Sequence, residues 1–530
     1  MSEEQRRQLQ QQLWKIADEL RGKMHADEFR DYMLGFIFYK YLSEKMQRYA
    51  DKALTQDERL FSSLNESNET DALMIAAVKP HALSELGYFL KPTELFHAVA
   101  LKGSHQSEKA GANFIIDDLI EIFGNIERST QGTESADEFV NLFEDLDLTS
   151  SKLGNSEKAK NELVAKILIH LDAIDFQLQD VNADVLGDAY EYLIGEFASG
   201  AGKKAGEFYT PQPVSTLLAK LVTCQNKNLK NVYDPTCGSG SLLLRVKKEA
   251  KQDRPQDRPI EIYGQELNRT TFNLARMNMI MHGVHYNECH VKQEDTLTHP
   301  QHLGMVFDAI VANPPFSAKW DADPSLLSDD RFGVYGVLAP KTKADMAFLQ
   351  HMLHHLADGG VMACVLPHGV LFRGGAEGHI RKYFIDNLNA LDAVIGLPAN
   401  IFYGTSIPTC VLVFKKCRKQ SENILFVDAS KHFEKVKTQN KLLPEHIEKV
   451  VAAYVARSDE AKFSRVVPLS EIVANDYNLN IPRYVDTFEA EISIDLDEVA
   501  ADLRALAIRG QETDARIAVF CRELGIQPPF

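Results

Sequence analysis

Between residues 231 and 416 the sequence alternates short apolar runs with longer segments of helical periodicity, and this alternation constrains the fold more than any other feature. The runs are NVYDPT, IEIYGQE, CHVKQED, FDAIVANPP, GGVMACVLP, LDAVIGLP and TCVLVFKK. Strands that are separated by helices form a sheet that is mostly parallel, with right-handed crossovers and helices on both faces. The sequence therefore predicts a doubly wound, Rossmann-like α/β domain with a twisted sheet.

The first part of the chain has a different texture, with apolar residues at three- and four-residue spacing, as in Phe29, Met33 and Phe36. This spacing is typical of amphipathic helices that pack on one another. With 530 residues, the chain is also too long for a single core. We therefore predict an N-terminal helical domain over residues 1–165, the α/β domain over residues 166–475 and a C-terminal helical extension over residues 476–530.

The C-terminal extension carries a broken apolar stripe on an otherwise charged helical stretch. The stripe consists of Val499, Leu503, Leu506, Ile517 and Phe520. Such a stripe suits either packing within the chain or contact with a helix of a partner. The sequence alone favours neither interpretation.

Charge and cysteine usage limit the compartment and the partners. The formal net charge is −17, so tight binding to DNA phosphates without help is not expected. The seven cysteines include no CxxC pair and no Cys/His cluster at metal spacing, which predicts a reducing compartment, the cytoplasm, and no zinc site. The apolar stretch MLGFIFY is far too short for a membrane span, and the polar opening MSEEQRRQLQQQ predicts no signal peptide.

A glycine-bearing segment, DPTCGSGSLL at residues 234–243, follows the first predicted strand and opens a helix. Gly238 and Gly240 allow the backbone to turn tightly and to approach a ligand, at the place where doubly wound sheets bind nucleotides. A dinucleotide-binding fingerprint has a third glycine where this chain has Leu243, so a dinucleotide is disfavoured. By itself, the GxG pair is equally compatible with a structural turn.

Acidic residues near the ends of the next two strands favour a ligand over a structural turn. Glu266 ends IYGQE, where a carboxylate can accept hydrogen bonds from both hydroxyls of a ribose. Asp295, in QEDTL, follows the third strand, where a carboxylate can accept from the amino group of an adenine. Three such features at successive strand ends predict a pocket for an adenosine-bearing ligand without phosphates.

The fourth predicted strand ends in NPPF, residues 313–316. Two prolines fix φ and restrict the residue before them, so the amide of Asn313 and the adjoining carbonyls are held nearly rigid. Rigid acceptors suit the transfer of an electrophile to a planar amino nitrogen, because Asn313 and the Pro314 carbonyl can grip its hydrogens and draw it towards sp3 geometry. Phe316 offers a face on which a base extruded from a duplex can stack. The plainer interpretation is a proline-rich end of a strand.

Upstream of the glycine loop, GEFYTPQPV at residues 206–214 follows the glycine- and lysine-bearing ASGAGKKAG. This is not a phosphate-binding loop, because no glycine stands five residues before Gly202 and no Ser or Thr follows the lysine. We predict instead a flexible lid that closes over the ligand.

Five features, in their order along the chain, resemble the motifs of DNA amino-methyltransferases: GEFYTP, DPTCGSG, Glu266, Asp295 and NPPF. The position of FYTP ahead of the glycine loop resembles the class that modifies adenine N6. Three further segments resemble the methylation (HsdM-type) subunits of type I restriction-modification systems: LWKIADELRGKMHADEFRDYMLGFIFYKYLSEK, DVLGDAYEYLIGEFASGAGKKAGEFYTP and NDYNLNIPRYVD. The resemblance covers nearly the whole chain, and its least typical feature is the charged insert KKEAKQDRPQDRP before Glu266.

The resemblance implies a site-specific adenine DNA methyltransferase that uses S-adenosylmethionine as methyl donor and no metal. It implies that four catalytic residues face the target base, namely Asn313, Pro314, Pro315 and Phe316. It implies donor binding by Glu207, Phe208, Tyr209, Thr210, Pro211, Gln212, Asp234, Gly238, Ser239, Gly240, Ser241, Glu266 and Asp295. Of these, residues 207–212 and 238–241 would surround the methionine part, Glu266 would hold the ribose and Asp295 the adenine. No strong base is needed, because the leaving group is a charged sulfonium and the proton can depart after the transfer.

The resemblance also implies partners. These are DNA, a specificity subunit that reads the DNA sequence, commonly with two methylation subunits to one specificity subunit, and a separate restriction subunit; no membrane is involved. Methylation would protect host DNA from restriction, and delegated recognition explains the acidic charge balance. The C-terminal extension over residues 476–530 is then expected to serve subunit association.

Other functions remain open on the sequence alone. NPP followed by an aromatic residue also occurs in proteins that resemble glutamine-amide methyltransferases acting on translation factors, although the helical N-terminal domain and the C-terminal helix argue against that function. A second alternative is a non-catalytic scaffold that binds the donor only to stabilise an assembly. Cytosine N4 is a possible target as well as adenine N6, and Lys319 and Trp320 suit either contact with DNA or a place on the loop surface.

Overall fold

The structure is a computed structural model, and it describes twelve stretches of the chain. These are residues 11–13, 16, 26–104, 114–176, 185–200, 209–226, 228–251, 259–402, 405–419, 423–436, 439–487 and 495–530. The chain divides into two compact units, Met1–Val485 and Asp486–Phe530.

The first unit begins with a helical region. Its helices are α1 (Ala26–Ala53), α2 (Glu69–Leu86), α3 (Phe96–Gly103), α4 (Ile116–Thr130), α5 (Ala136–Phe139), α6 (Glu157–Asp172) and α7 (Val185–Gly200). In α4 the buried residues Ile116, Leu119, Ile122, Phe123 and Ile126 recur at three- and four-residue spacing, which turns one face of the helix into the core. The structure thus confirms the prediction that the N-terminal part of the chain is helical.

Nine of the described strands form one sheet. They are β1 (Asn231–Asp234), β2 (Glu261–Glu266), β3 (Cys289–Gln293), β4 (Phe307–Ala312), β5 (Leu356–Pro367), β6 (Leu391–Gly396), β7 (Thr409–Lys415), β8 (Ile424–Asp428) and β11 (Ser464–Val467). Their order across the sheet is β11-β8-β6-β7-β5-β4-β1-β2-β3. Two short strands, β9 (Glu434–Val436) and β10 (Gln439–Lys441), form a separate hairpin.

Most neighbours in the sheet are parallel. The pairs β1–β2, β2–β3, β1–β4, β4–β5 and β6–β8 run parallel, whereas β7 runs antiparallel to both β5 and β6, and β11 antiparallel to β8. This arrangement confirms the predicted mostly parallel sheet. It also shows that the run TCVLVFKK enters the sheet in the reverse direction, as β7.

Helices cover the sheet and connect its strands. They are α8 (Gln212–Thr223), α9 (Ser241–Lys251), α10 (Arg269–Met281), α11 (Asp330–Gly333), α12 (Asp345–His354), α13 (Gly375–Asp386), α14 (Pro444–Ala456) and α15 (Leu469–Ala474). Successive strand residues enter opposite cores: Ala309 and Val311 of β4 join the core on one face, whereas Ile310 joins the core on the other. A strand buried on both faces needs apolar residues at consecutive positions, which explains the unbroken apolar runs.

The chain after residue 420, which is mixed and polar in sequence, contributes two more strands to the sheet. All five residues of β8 are buried, and β8 pairs in parallel with β6. The short β11 closes that edge of the sheet and is only partly buried. Polar connecting segments surround both strands, so the composition of this part of the chain does not indicate them.

Helix α10 ties the sheet to the helical region. Its Leu274 and Met277 belong to the core of that region. Thr270 donates to Asp145 Oδ1 at 2.7 Å, and Asn273 donates to Asp145 Oδ2 at 2.8 Å. Because α10 follows directly on Glu266 at the end of β2, the helical region is bonded to the element next to a predicted site residue.

The second unit contains the long helix α16 (Leu496–Glu523). The side chain of Asp495 caps its first turn by accepting from the backbone N–H groups of Asp497 and Glu498. Each residue of the predicted apolar stripe is exposed: Val499, Leu503, Leu506, Ile517 and Phe520. No helix in the described parts of the chain is long and apolar enough to cross a membrane.

Candidate active site

The predicted motifs meet at one edge of the sheet. Strands β1 to β4 are parallel, so the loops that follow them lie together at their carboxyl ends. These loops carry DPTCGSG, the residues after Glu266, Asp295 and NPPF. Edges of this kind are the usual place for a ligand in an open α/β sheet.

The glycine loop after β1 is bonded to Glu266. Gly238 and Gly240 both have positive φ, 55° and 75°, which an L-residue with a side chain adopts only under strain. The backbone N–H of Gly238 donates to Glu266 Oε2 at 3.0 Å, and that of Asn268 donates to Glu266 Oε1 at 2.8 Å. The Glu266 carboxylate therefore bridges the loops after β1 and β2. Burial raises its pKa, and the two N–H groups act in the opposite direction.

Asp234, at the end of β1, is almost completely buried. Its Oδ1 accepts from the backbone N–H of Thr236 at 2.9 Å. Burial raises the pKa of Asp234 to about 8, despite that hydrogen bond, and the nearby Glu266 adds to the rise. A carboxyl group of this kind is neutral in much of the free protein at pH 7, and a positively charged ligand beside it would favour its ionised form.

A cavity of about 450 Å³ opens at this edge. Three of the predicted site residues line it, namely Glu266, Asp295 and Pro315. The acidic side chains in its wall are Asp31, Glu266 and Asp295, and the basic ones are Arg30 and Lys319. With three carboxylates against two cations, and with Arg30 bonded to Asp31 at 2.7 Å, the cavity is better suited to a cationic ligand than to an anionic one.

Two residues of this wall come from the helical region and were missed in the sequence. Arg30 and Asp31 lie on α1, more than 200 residues before the other lining residues. They stand within DEFRDYML, where charged residues interrupt an apolar helical pattern that otherwise predicts burial. That interruption is the one signal the sequence offers, and it is also typical of an ordinary solvent-facing stripe.

Asn313, the first residue of NPPF, is held through its side-chain nitrogen. Its Nδ2 donates to the Thr210 hydroxyl at 3.1 Å. Its Oδ1 is buried and accepts no hydrogen bond from the described residues. Unsatisfied buried acceptors are rare in folded proteins, so this atom is a candidate for contact with a ligand.

The rest of NPPF forms a supported turn. Pro314 is buried, and the Phe316 ring meets the Phe402 ring edge-on, with centroids 5.6 Å apart. Ser317, just beyond, has a φ of 51°, and its backbone N–H donates to Asp345 Oδ1 at 2.8 Å. Phe402 lies in the loop between β6 and β7, and the residue spacing of that loop gave no indication of a contact with Phe316.

Trp320, for which the sequence allowed either a DNA contact or a loop surface, is half-buried. Its indole N–H donates to the Pro340 carbonyl at 3.1 Å, and its ring packs on Phe332 with centroids 5.7 Å apart. Lys319 is exposed at the cavity wall. Trp320 is therefore part of the packed wall of the cavity.

The FYTP segment is described from Tyr209 onwards, whereas Glu207 and Phe208 lie outside the described residues, as do residues 201–206 just before them. Tyr209 is buried in the core of the helical region. Pro211 precedes α8, and Gln212 contacts Glu191 of α7 with its side-chain nitrogen 3.4 Å from the carboxylate. Only Thr210 of this segment is bonded to NPPF in the described structure.

Ten of the predicted residues therefore fall into two linked groups. One group surrounds the cavity and includes Glu266, Asp295 and Pro315, with Asp234, Gly238, Ser239, Gly240 and Ser241 in the adjoining loop. The other joins Thr210 to Asn313. In the described parts of the chain, no group of three or more His, Cys, Asp or Glu residues is arranged to hold a metal ion.

Comparisons with known proteins agree over most of the chain. The family model described as N-6 DNA Methylase matches residues 181–492, and the model described as HsdM N-terminal domain matches residues 9–171. The MpnII type I restriction enzyme methylase subunit of Mycoplasma pneumoniae is 38% identical over 92% of this chain and 91% of its own length. The HindI methylase subunit of Haemophilus influenzae is 34% identical over 58% of this chain and 70% of its own length.

A solved structure leads to the same family. The crystal structure of the type I restriction-modification methyltransferase subunit from Streptococcus thermophilus has a TM-score of 0.81 and 43% identity, and the match covers 91% of this chain and 100% of that one. These relatives confirm the resemblance that the motifs indicated, and they separate this chain from glutamine-amide methyltransferases. The chain belongs to the methylation subunits of type I restriction-modification systems, which are N6-adenine DNA methyltransferases.

Proposed function

We propose that this methylation subunit binds S-adenosylmethionine in the cavity at the carboxyl edge of the sheet and acts on an adenine held at NPPF. The observation that supports this most is that one cavity of about 450 Å³ is lined both by the carboxylates of Glu266 and Asp295 and by Pro315 of the NPPF turn. In this proposal the donor site and the base site share one wall of the cavity.

The residues present fit the proposed donor. Glu266 offers oxygens to the two ribose hydroxyls, and Asp295 offers an oxygen to the adenine amino group. The glycine loop can bring its backbone close to the methionine part, because Gly238 and Gly240 adopt the positive φ values, 55° and 75°, that a tight turn requires. The excess of carboxylates in the wall suits a ligand with a positive charge and no phosphates.

When bound, S-adenosylmethionine supplies an electrophilic methyl group on a positively charged sulfur. The chain would then orient the acceptor nitrogen. Asn313 Oδ1 and the Pro314 carbonyl accept hydrogen bonds from the amino group of the adenine, which draws its nitrogen out of conjugation with the ring. Phe316, with Phe402 against its edge, stacks on the base after it has left the duplex.

No protein base takes part in this mechanism. The adenine nitrogen becomes more acidic once it carries the methyl group and a positive charge, and its proton can then leave to solvent. The contribution of the chain is therefore positioning and hydrogen bonding, two effects that account for large rate enhancements in other enzymes.

For DNA recognition we propose delegation to a specificity subunit, with two methylation subunits to one specificity subunit and a separate restriction subunit in the full complex. The net charge of −17 supports this, because an acidic chain is poorly suited to hold DNA phosphates alone. We place the assembly in the cytoplasm, where host DNA is protected by methylation.

Helix α16 is the proposed contact with the specificity subunit. Apolar residues are exposed along it, from Val499 to Phe520, and such a face suits an apolar helix of a partner. Deletion of residues 486–530 should abolish co-purification with the specificity subunit while donor binding by the remaining chain persists. Unchanged co-purification would refute this assignment.

The central test uses the chain in complex with its specificity subunit, donor labelled in the methyl group, and either duplex DNA or protein as acceptor. Label is expected in DNA, and digestion to nucleosides should give N6-methyladenine. Label only in protein, or N4-methylcytosine in the digest, would overturn the proposal.

A variant separates transfer from binding. Asn313→Ala should abolish transfer and leave donor affinity unchanged, because the side chain acts on the base. Asn387→Ala is the matched control, since Asn387 is exposed at the end of α13 and far along the chain from every site residue. Unimpaired transfer by Asn313→Ala would refute the mechanism, and loss of donor binding would assign Asn313 to the donor instead.

A further inference from the structure

The side-chain amide of Asn313 can face the base in two orientations, and only one of them supports the proposed chemistry. With Oδ1 towards the base, the amide accepts a hydrogen bond from the amino group. Rotated by 180°, it presents Nδ2, and two N–H donors then face each other. A rate that depends on Asn313 therefore also depends on what selects the orientation.

The structure offers one group that can make this selection. Asn313 Nδ2 donates to the Thr210 hydroxyl at 3.1 Å, while Oδ1 stays buried with no partner among the described residues. The contact holds the nitrogen and leaves the acceptor oxygen available. Thr210 is 7% exposed, so water competes little for the same hydroxyl.

The hydroxyl is itself well anchored. Thr210 lies just before the start of α8, and its carbonyl accepts from the Ser215 hydroxyl at 3.3 Å. The backbone N–H groups of Val214 and Ser215 donate to the Pro211 carbonyl at 2.9 and 3.0 Å. Threonine is also branched at Cβ, which restricts its χ1 rotamers. The position of the hydroxyl is thus fixed by the first turn of a helix.

We propose that Thr210 is a positioning residue for methyl transfer: its hydroxyl accepts from Asn313 Nδ2 and so keeps Asn313 Oδ1 directed at the amino group of the target adenine. This inference rests on the proposed function and deepens it. The motif implied that Thr210 binds the donor. In this inference its side chain has a different role, because the hydroxyl affects turnover by orienting Asn313. The backbone of Thr210 remains free to border the donor.

The test compares Thr210→Val with Thr210→Ser in the complex with the specificity subunit. Valine matches threonine in shape and lacks the hydroxyl, whereas serine keeps the hydroxyl and lacks the methyl group. We expect valine to lower kcat about 3- to 10-fold, which corresponds to about 0.7 to 1.4 kcal/mol. The Kd of the donor, measured by calorimetry, and the KM for DNA should stay close to those of the parent, and serine should restore most of kcat.

Thr216→Val is the matched control. Thr216 lies on α8 itself, and its hydroxyl donates to the Gln212 carbonyl at 2.9 Å. The same chemical change there should leave kcat unaltered. If Thr210→Val is too unstable to purify, Thr210→Ser and Thr210→Ala replace it, and serine must exceed alanine in kcat by the same factor.

Each outcome is decisive. Equal kcat for parent and Thr210→Val refutes the inference, and so does weaker donor binding with unchanged kcat, which would make the hydroxyl a donor ligand. A parent complex that forms no N6-methyladenine overturns the proposed function and the inference with it. A parent that forms N6-methyladenine beside an equally active valine variant overturns the inference alone.

Discussion

Replacement of Gly240 by alanine tests the glycine loop, and its cost can be worked out from the structure. Gly240 has a φ of 75°, a left-handed conformation that costs an L-residue about 1–2 kcal/mol. A Cβ at this position would lie 2.6 Å from Met279 Cε, too close without movement. Overpacking typically costs about 1–3 kcal/mol, and we use the lower half of this range because Met279 Cε is the end of a flexible side chain that can move. The expected loss is about 2–4 kcal/mol in the free energy of unfolding.

Gly304→Ala isolates the backbone contribution. Gly304 has nearly the same φ, 78°, but a Cβ there would meet nothing within 4 Å. It should therefore lose only the backbone contribution of about 1–2 kcal/mol. Urea denaturation with a common m-value compares the two variants. In Gly240→Ala, shortening of Met279 to leucine should recover part of the loss, because leucine lacks the terminal methyl that causes the clash.

Donor binding gives the functional part of the same test. Gly240→Ala is expected to weaken donor affinity about tenfold or more, because the shifted loop carries the Gly238 N–H group that holds Glu266. Gly304→Ala should bind the donor like the parent. Equal stabilities of the two alanine variants, or unchanged donor affinity in Gly240→Ala, would show that the close approach at Met279 does not shape the donor loop.

Three further predictions concern buried carboxyl groups. The folded-state pKa of Asp234, about 8, lies above its unfolded value, so the parent loses stability as the pH rises from about 4 to about 8. Asp234→Asn should remove this loss, which is at most about 1.4 kcal/mol per pH unit. Thermal melts across that pH range measure it, and parallel pH profiles of parent and variant would contradict the raised pKa. Burial acts to raise the pKa of Asp392, but three nearby cations, Lys415, Arg457 and Arg418, outweigh burial and hold this pKa below its usual value. The ionised carboxylate therefore stabilises the fold at neutral pH, and this stabilisation is lost as the pH falls through the folded-state pKa. Asp392→Asn should cost about 3–5 kcal/mol at pH 7, because it leaves Arg418 buried beside a neutral group, and a loss below about 1 kcal/mol by denaturation would refute this. Asp345→Asn should lower the melting temperature more than Ser317→Ala does. The Asp345 variant weakens the hydrogen bonds from both the backbone N–H and the hydroxyl of Ser317, whereas Ser317→Ala removes only the hydroxyl bond. The opposite order of melting temperatures would contradict the assigned contacts.

The sheet and its functional edge follow from the sequence for a physical reason. Strands buried on both faces need unbroken apolar runs, and the loops after parallel strands must meet, so the pattern of residues alone places Glu266, Asp295 and Asn313 at one edge. Strand direction is different, because the same apolar run suits either orientation. The antiparallel course of β7 is therefore evident only from its pairing with β5 and β6.

Side-chain contacts between distant segments could not be predicted. Arg30 and Asp31 reach the cavity because α1 packs against α10, where the Tyr41 hydroxyl donates to the Ile280 carbonyl at 3.0 Å. The spacing of residues within α1 contains no information about that contact. The bond between Thr210 and Asn313 joins residues 103 positions apart, and only the two motifs at its ends were recognisable. The domain boundaries and the roles of the individual site residues stay predictions.

The reversed strand β7 affects how this enzyme family can diversify. Because β6 and β7 are antiparallel neighbours, their connection begins at the carboxyl edge and needs no crossover helix, and its Phe402 lies against Phe316. A hairpin loop can lengthen or shorten at little entropic cost and without disturbing strand register. Natural variation or laboratory insertion in this loop is therefore a route to a new shape of the proposed base pocket, with the proposed donor site unchanged.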